Sequence, residues 1–305
     1  MHWKYFVFFL SVIVSQAAPA RAETLAVSFI RLDPYLSDLR DAILESAKAI
    51  ESLQVDFAVA DGNGQRQIDQ LAAMLGRHPK AAVLFVRDAE TFRQTADLAE
   101  KAGVPVVYVL MHPRGDDLRI KFSIVSSNGY VAGLLQMRKL ADLMGGKGNL
   151  VLLRGIDDEK DSIDRTQGVK EVLRSFPDIH LIEEASASWD RDPASRLVAE
   201  WLAKGDRIDA VAANNDEMAL GAIAALEGAG VHGVPVAGVD GIPAALSAMK
   251  SGTMALTVFQ NARMQGRRAV QDALDLAEGK PVEEYDWVPY ELVTSRVLSS
   301  YLSRR

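Results

Sequence analysis

The segment AVAANNDEMALGAIAAL, residues 210–226, places four polar side chains between two apolar stretches. The first stretch, 210–213, is typical of a buried strand, and the second, 218–226, has the apolar periodicity of a helix. The four polar residues are Asn214, Asn215, Asp216 and Glu217. A helix N-cap needs only one such residue, since one side-chain oxygen accepts the free N–H groups of the first turn. Ligand binding is therefore an alternative to capping for the others.

Polar and aromatic side chains also follow other predicted strands, where ligands bind in open parallel sheets. The candidates at or near these positions are Asp33, Tyr35, Arg165, Trp189, Asn215, Asp240 and Gln260. Carboxylates and amides can bridge neighbouring hydroxyls, a guanidinium donates as a fork, and an aromatic ring covers the apolar face of a sugar. Taken singly, Asp240 is also explained as a cap or turn residue, and Trp189 as a core residue. Together the set predicts a binding site for a polyhydroxylated small molecule.

Sequence signatures of catalysis or metal binding are absent from the chain. The five histidines are scattered, with no pair four residues apart and no carboxylate cluster at ligand spacing. No G-x-S-x-G motif occurs, and the G-x-G at 62–64 lacks the third glycine of a dinucleotide-binding loop because Gln67 stands there. The glycines of 145–148 follow a helix and precede a strand, the reverse of a phosphate-binding loop. We therefore predict no catalytic residue, no metal and no cofactor.

Residues 1–22 have the organisation of a secretory signal peptide. Lys4 supplies a positive charge, an apolar core covers 6–14, and 20–22 read Ala-Arg-Ala, an A-x-A cleavage pattern. The apolar run is too short to span a bilayer comfortably, which argues against a membrane anchor. The chain has no cysteine, so it is not a lipoprotein. We expect export with cleavage after Ala22.

The composition of the exported chain excludes several classes of partner. Loss of Lys4 and Arg21 changes the net charge from −7 to −9, which opposes binding to nucleic acid or to an anionic membrane surface. The absence of cysteine excludes disulfides and, in an exported protein, is typical of the bacterial periplasm. The remaining length allows two medium domains, each with its own core.

Predicted strands and helices alternate along nearly the whole exported chain. The predicted strands cover 25–30, 55–60, 81–86, 104–110, 121–125, 149–153, 179–184, 209–213, 235–239, 255–259 and 287–292. The predicted helices cover 36–53, 65–75, 89–101, 163–175, 193–203, 217–229, 242–250 and 262–278. Continuous apolar strands between amphipathic helices, in two series, indicate an α/β fold with two doubly wound parallel-sheet lobes. No Pro/Gly/Ser-rich linker separates the lobes, so short crossover strands should join them.

Three segments are distinctive: SIDRTQGVKEVL, NNDEMALGAIAAL and VAGVDGIPAALSAMKSGTMALTVFQNARMQG. They resemble segments of the periplasmic sugar-binding proteins of the ribose- and myo-inositol-binding type, and the resemblance extends over the whole exported chain. It implies two α/β lobes, three crossover strands and a ligand cleft between the lobes. The first lobe would comprise 23–126 and 261–288, and the second lobe 127–260 and 289–305.

The resemblance also implies roles for the candidates of the second lobe. Arg165 matches an arginine that forks onto sugar hydroxyls, and Trp189 matches an aromatic residue that covers the sugar ring. The other matches are a ligand-bonding amide, a carboxylate and a crossover glutamine: Asn215, Asp240 and Gln260. On this basis Asn215 should face the ligand, and the two residues after it should begin the helix.

In the first lobe, Asp33 and Tyr35 match a polar and an aromatic contact of the family. Positions that depart from the family pattern are occupied by Leu36, Val86, Leu110 and Met111. Leu110 and Met111 stand where the family usually has an Asp-Arg or Asp-Asn pair. Burying sugar hydroxyls without partners costs roughly 1–3 kcal/mol each. We therefore expect a partly apolar half-site and a ligand that is less polar on one side, smaller, or not a standard pyranose.

The resemblance implies a solute-binding protein that closes like a hinged clamp and catalyses no reaction. The expected ligand is a sugar, inositol or related polyol, and the expected partner is a membrane ABC permease. A sensor role is the alternative, with a membrane histidine kinase or chemoreceptor as partner. Missing nucleophile and metal patterns disfavour an exported enzyme, and a signal peptide stands where a related repressor would have its DNA-binding helices. We expect a monomer in the periplasm.

Overall fold

The computed structural model describes residues 23–110 and 121–303. The predicted signal peptide, 1–22, and the candidate Met111 lie outside the described residues. Within the two described ranges, no helix combines the length and the apolar character that crossing a membrane requires.

Strands and helices alternate through the described chain. The strands are β1 (Glu23–Phe29), β2 (Leu53–Val59), β3 (Ala81–Phe85), β4 (Val106–Val109), β5 (Phe122–Ser126), β6 (Gly148–Arg154), β7 (Ile179–Ser186), β8 (Ala210–Ala213), β9 (Val236–Asp240), β10 (Leu256–Phe259), β11 (Tyr285–Trp287) and β12 (Glu291–Thr294). The helices are α1 (Pro34–Lys48), α2 (Gly64–Leu75), α3 (Ala89–Ala102), α4 (Gly129–Leu143), α5 (Lys160–Leu173), α6 (Arg191–Ala203), α7 (Asp216–Gly228), α8 (Pro243–Ser251), α9 (Ala262–Ala277) and α10 (Leu298–Leu302).

The described strands form two six-stranded sheets, one in each lobe. The first sheet has the order β11-β5-β4-β3-β1-β2, and the second has the order β12-β10-β9-β8-β6-β7. The pairings between these strands are parallel, apart from the antiparallel pair β10 and β12. In the first sheet, Leu25 of β1 lies opposite both Val55 of β2 and Ala81 of β3. The prediction of two doubly wound α/β lobes is confirmed.

Helices cover both faces of the sheets, which explains the continuous apolar runs of the strands. All five residues of β3 are buried, and Leu25 and Phe29 of β1 have no exposed surface. In the second lobe, α4 and α5 approach closely because two glycines face each other. A Cβ on Gly133 would lie 2.1 Å from the Arg165 oxygen, and one on Gly168 would lie 2.2 Å from the Tyr130 oxygen. This contact fixes the position of α5, which carries Arg165.

The chain passes between the lobes three times, at 127–128, at 260–261 and at 288–290. β5 and β11 belong to the first sheet, and β10 and β12 belong to the second. Helix α9, which follows the second passage, packs against β3, β4 and β5 of the first lobe. The three expected crossovers are therefore present, and they place Gln260 and Tyr290 between the lobes.

Polar side chains that follow the strands begin many of the helices. Each of these side chains accepts a hydrogen bond from a backbone N–H in the first turn of its helix, and the residues are Asp33, Asn63, Asp88, Asn128, Asp190, Asn215 and Asn261. The shortest such distance is 2.7 Å, from Leu36 N to Asp33 Oδ1. Capping therefore competes with ligand binding for polar groups at this edge of the sheets.

The helix predicted over 36–53 has the wrong bounds. It begins at Pro34 and ends at Lys48. The chain turns through 49–52, where the backbone N–H of Ile50 donates to the Ala47 oxygen at 3.0 Å and Ser52 takes a φ of 66°. A positive φ for a serine is incompatible with a continuing helix.

The single strand predicted over 287–292 is also wrong. This stretch contains the end of β11 and the start of β12, which lie in different sheets because the chain crosses between the lobes at 288–290. The return into the second sheet makes β12 antiparallel to β10, where only parallel pairing was expected. Helices α4 and α10 have no counterpart among the predicted helices.

Candidate ligand-binding site

A cavity of about 420 Å³ lies between the lobes, at the carboxyl ends of strands from both sheets. This volume falls in the range of about 300–1,000 Å³ that is typical of small-molecule sites. The first lobe contributes residues that follow β1, β3 and β4, and the second contributes residues that end or follow β6, β7 and β9. Gln260, from the second crossover, also lines the cavity.

Arg165 is buried in the cavity wall and bonds to four other residues. Its Nη1 donates to the backbone oxygen of Asn214 at 2.6 Å and to Asp240 Oδ1 at 3.3 Å. Its Nη2 donates to Gln260 Oε1 at 2.9 Å and to the Tyr290 hydroxyl at 3.0 Å. These bonds hold the guanidinium in one orientation without help from a ligand.

Asp240 faces Arg165 as a buried ion pair, with a φ of 118° that is uncommon for a residue other than glycine. Burial raises the pKa of Asp240 well above its usual range, and the Arg165 charge acts against this rise. Behind it, burial raises the pKa of Asp216 to about 7. The Asp216 carboxylate accepts from Thr257 Oγ1 at 2.7 Å and from Ile242 N at 2.9 Å, bonds that oppose the rise. The second-lobe side of the cavity thus has two neighbouring carboxyls, Asp240 and Asp216, whose pKa values are raised by burial.

Trp189 supplies an aromatic wall and is almost fully buried. Its Nε1 donates to Glu159 Oε2 at 2.7 Å, and Arg165 Cζ lies 5.5 Å from the ring centroid. The ring lies against Gly155, where any Cβ would come within 2.2 Å of it. Gly155 is therefore a requirement for the observed position of the ring.

Asp33 and Tyr35 line the first-lobe side of the cavity. Asp33 Oδ1 accepts from Leu36 N and caps α1, so one of its two oxygens is used within the protein. Burial raises the pKa of Asp33, while the Leu36 N–H and the Arg31 charge act in the opposite direction. The Tyr35 hydroxyl donates to Gln265 Oε1. The two residues are thus placed at the cavity with part of their bonding capacity already satisfied.

Asn215 is placed differently from the other candidates. Its Oδ1 accepts from Met218 N at 3.0 Å, which caps α7, and its Nδ2 donates to the Trp189 oxygen at 3.1 Å. It is not one of the described residues that line the cavity. Helix α7 begins at Asp216, as the sequence predicts. The cap and the bond to the Trp189 oxygen therefore account for the hydrogen bonds of Asn215, and its contact with a ligand stays a prediction.

An apolar wall faces the polar groups from the first lobe. Its members are Leu36, Phe85, Val86 and Leu110. Leu110 has a φ of 58°, a conformation that costs roughly 1–2 kcal/mol for most residues with a side chain. Leu110, the described member of the predicted apolar half-site, therefore stands in the cavity wall, and what it contacts in a ligand stays a prediction.

Several residues around the cavity carry buried polar atoms without a hydrogen-bond partner in the described parts of the chain. They are three donors and two acceptors: Arg31 Nη1, Arg165 Nε, Gln260 Nε2, Glu159 Oε1 and Asp161 Oδ1. Buried polar groups in native proteins are nearly always hydrogen bonded, so such a cluster indicates groups that bond to a ligand or to water. Hydroxyl groups both donate and accept, and so match a wall of this mixed character.

Sequence reasoning missed three residues that contribute to this site. Arg31 follows β1 by two positions, and the strand-end rule that selected Asp33 would also have selected it. Glu159 stands in the acidic run 157–161, in which no pattern distinguishes it from its neighbours. Tyr290 lies in the third crossover, where neither periodicity nor motif marks a function.

Comparisons with known sequences identify the family to which the chain belongs. The family model described as a periplasmic binding protein domain matches residues 26–281. A protein named putative rhizopine-binding protein, from Rhizobium meliloti, is 33% identical over 304 residues, which cover 98% of each chain. The xylitol-binding protein of Mycolicibacterium smegmatis is 30% identical over 268 residues, covering 88% of this chain and 76% of that protein.

Solved structures give the same result. An ABC transporter solute-binding protein from Bacillus halodurans with bound myo-inositol has a TM-score of 0.89 and 34% identity, covering 95% of this chain and all of that one. A periplasmic solute-binding protein from Actinobacillus succinogenes with bound D-allose has a TM-score of 0.86 and 26% identity, covering 92% of this chain.

Two α/β lobes that enclose a small-molecule cavity define a solute-binding protein. The chain belongs to the periplasmic binding protein family, because the family model covers most of its length and the similarity extends from end to end. Members of this family bind their substrates and are not enzymes, so the function of this protein is binding and not catalysis.

Proposed function

We propose that this protein binds a polyhydroxylated small molecule in the cavity between its lobes and delivers it to a membrane ABC importer. The ligand in this proposal carries no acidic group. The observation that carries the proposal is a cluster of donors and acceptors that lack a hydrogen-bond partner among the described residues and that line the same cavity as the Trp189 ring. A sugar or cyclic polyol can place its hydroxyls against these polar atoms and its apolar C–H face against the Trp189 ring. The myo-inositol and D-allose bound to the two structural relatives support this ligand class.

The charge of the cavity wall argues against an anionic ligand. The wall carries six carboxyl side chains and four cationic ones. Arg31 pairs with Glu159, and Arg165 pairs with Asp240. Asp161 retains an oxygen without a partner in the described chain. A ligand carboxylate or phosphate would add a like charge to a partly buried site, which is unfavourable.

Closure of the lobes is the physical basis of capture. Side chains from both lobes line the cavity, so a bound ligand contacts both and favours the closed arrangement over the open one. An importer that recognises the closed form then receives a loaded protein. The Bacillus halodurans relative is an ABC transporter solute-binding protein, which supports this partner. A membrane sensor kinase or chemoreceptor is the alternative, and neighbouring genes for a permease and an ATPase, or for a kinase, distinguish the two.

Export to the periplasm as a monomer completes the proposal. The family description, a periplasmic binding protein domain, supports this location. In cells that express the full chain, the periplasmic fraction should contain a protein whose first residue is Glu23. Light scattering of this protein should give the mass of one chain. An N-terminus at Met1, or a protein that stays in the membrane fraction, would contradict cleavage after Ala22.

Thermal unfolding of residues 23–305 tests the ligand class. The panel contains myo-inositol, xylitol, D-allose and D-ribose, with D-glucuronate as an anionic control of similar size. A ligand at 100 times its Kd stabilises the folded state by about 2.7 kcal/mol and raises the Tm accordingly. We expect a raised Tm with at least one neutral polyol and none with glucuronate. A shift with D-glucuronate alone, or with none of the four neutral polyols, would overturn the proposal.

A further inference from the structure

Two hydrogen-bond donors from opposite lobes meet on a single oxygen of Glu159. Arg31 Nη2 lies 3.1 Å from Glu159 Oε2, and Trp189 Nε1 lies 2.7 Å from the same atom. Arg31 belongs to the first lobe, just beyond β1, whereas Glu159 and Trp189 belong to the second lobe. Glu159 therefore connects the aromatic wall of its own lobe to the lobe that faces it.

In the first lobe, Arg31 packs against a core residue. The Arg31 guanidinium carbon lies 5.3 Å from the centroid of the Phe85 ring, a cation–π contact. Phe85 ends β3, and its ring packs edge-on against Phe29 of β1 with 5.9 Å between centroids. A continuous series of contacts thus runs from the first sheet, through Arg31 and Glu159, to Trp189.

The Arg31–Glu159 pair differs from an ordinary surface ion pair in its burial. The two side chains are 22% and 10% exposed. Exposed pairs contribute little to stability, whereas removing one partner of a buried pair leaves an uncompensated charge. Glu159 precedes α5 but makes no capping hydrogen bond with its side chain, so the start of the helix does not depend on the carboxylate.

Lobe opening affects the two bonds of Glu159 unequally. Separation of the lobes breaks the bond from Arg31, because that residue moves with the first lobe. The bond from Trp189 can persist, because both residues move with the second lobe. In the open protein the Glu159 carboxylate therefore keeps only the hydrogen bond from the Trp189 indole. In the closed protein it accepts hydrogen bonds from both Trp189 and Arg31.

We propose that Glu159 is a positioning residue that couples the orientation of the Trp189 ring to closure of the lobes, with Arg31 as the first-lobe half of the coupling. Closure fixes the carboxylate, and the carboxylate fixes the ring on which a ligand would lie. Arg31 Nη1 and Glu159 Oε1, both without partners in the described chain, then form an adjacent donor and acceptor in the wall. The inference rests on the proposed function in one respect, that closure serves to capture a ligand.

The test measures closure and ring environment without any ligand. The chain contains no cysteine, so a protein with Gln65→Cys and Ala244→Cys carries spin labels at these two positions alone. Both positions are exposed, and they lie in the first turns of α2 and α8, on different lobes. Pulsed electron paramagnetic resonance gives the distance between the labels. The indole 15N–H signal of Trp189, assigned with Trp189→Phe, reports the bond to Glu159 in residues 23–305.

Three variants separate coupling from general damage. Arg31→Met removes the guanidinium and keeps an aliphatic stem, and Arg31→Lys restores a positive charge. Arg66→Met is the matched control, because Arg66 pairs with Asp61 inside the first lobe and is exposed. Circular dichroism establishes that each variant is folded before the distances are compared.

In Arg31→Met we expect the label distances to shift to longer values and the Trp189 indole signal to move. Arg31→Lys should recover most of both effects, and Arg66→Met should match the parent. Affinity for myo-inositol, used as the probe, should fall about tenfold in Arg31→Met, a typical coupling between sites. Parent-like distances or a parent-like indole signal in Arg31→Met would overturn the inference. Failure of myo-inositol and of the three other neutral polyols to bind the parent would count against the proposed ligand class only, since the distances and the indole signal need no ligand.

Discussion

The ring of Trp189 fills the space beside Gly155 that any larger residue would need for its own side chain. A Cβ at position 155 would lie 2.2 Å from the ring, a separation that real Cβ atoms do not show. The indole N–H is at the same time bonded to Glu159. The aromatic wall of the cavity thus depends on a residue without a side chain on one side and on a carboxylate on the other.

Gly155→Ala should displace the Trp189 ring and weaken binding of a polyol ligand by at least about tenfold, because binding depends on the placement of the ring. Calorimetric titration measures the Kd, and circular dichroism checks the fold. Gly228→Ala is the matched control, since nothing lies within 4 Å of its Cβ and its φ is not positive. A parent-like Kd in Gly155→Ala would show that the ring does not contact the ligand.

Arg165→Met should lower the free energy of unfolding by roughly 3–5 kcal/mol, because it leaves the buried Asp240 carboxyl without its ion-pair partner, so that the group either stays charged at a cost or takes up a proton. Adding Asp240→Asn should recover part of this loss by replacing the carboxyl with a neutral amide. Urea unfolding at pH 7 measures both effects. Arg191→Met, which breaks an exposed pair with Glu217, should change stability by about 1 kcal/mol or less. Equal stability of the Arg165 single and double variants would contradict the uncompensated-charge account.

Leu110→Asn should change ligand preference with little cost in stability. Asparagine tolerates the positive φ of this position better than leucine, which offsets part of the lost apolar contact. The new amide should favour a fully hydroxylated sugar over its deoxy counterpart by about tenfold relative to the parent. The ratio of Kd values for D-galactose and D-fucose reports this preference, and Leu110→Met is the apolar control. An unchanged ratio would place Leu110 out of contact with the ligand.

The stability that Asp216 contributes to the protein should fall as the pH rises from about 4 towards 7. Burial raises the pKa of Asp216 to about 7, above the value of roughly 3.9 in an unfolded chain. The folded state therefore binds the proton more tightly, and the stability that this group contributes is present below pH 4 and lost as the pH passes 7. One such group changes the free energy of unfolding by at most about 1.4 kcal/mol per pH unit.

Urea unfolding at pH 5, 6, 7 and 8 measures this slope in the parent and in Asp216→Asn. The variant should be less stable throughout, because the asparagine cannot accept from both Thr257 and Ile242. Its stability should nevertheless depend less on pH over this range. Equal slopes in the two proteins would show that Asp216 stays ionised. A carboxyl 13C signal that titrates near pH 7 in the parent and is missing from the variant gives an independent check.

Much of the fold can be predicted because a parallel strand that is buried on both faces has a continuous apolar sequence. β3 reads Ala-Ala-Val-Leu-Phe without a polar residue, and caps such as Asp33 and Asp88 mark the helices that follow strands. The third crossover has no such signal in the sequence. Residues 288–290 continue an apolar run, so one strand is predicted where the chain in fact leaves one sheet and enters the other.

Positions after the predicted strands supply most of the described candidates that line the cavity, namely Asp33, Tyr35, Arg165, Trp189, Asp240 and Gln260, and the resemblance adds Leu110. The strand-end rule does not reveal which polar groups the protein uses internally, as the two hydrogen bonds of Asn215 show. It also cannot reveal the pair of Arg31 with Glu159, because this contact depends on how the two lobes face each other.

A crystal structure of residues 23–305 with the polyol that raises the Tm most would test the account of the site directly. We expect a ligand between the lobes, with a ring or C–H face on Trp189 and hydroxyls within hydrogen-bond distance of Arg165 Nε, Gln260 Nε2 and Asp161 Oδ1. A polyol bound elsewhere, or one that leaves these three atoms bonded only to water, would contradict it.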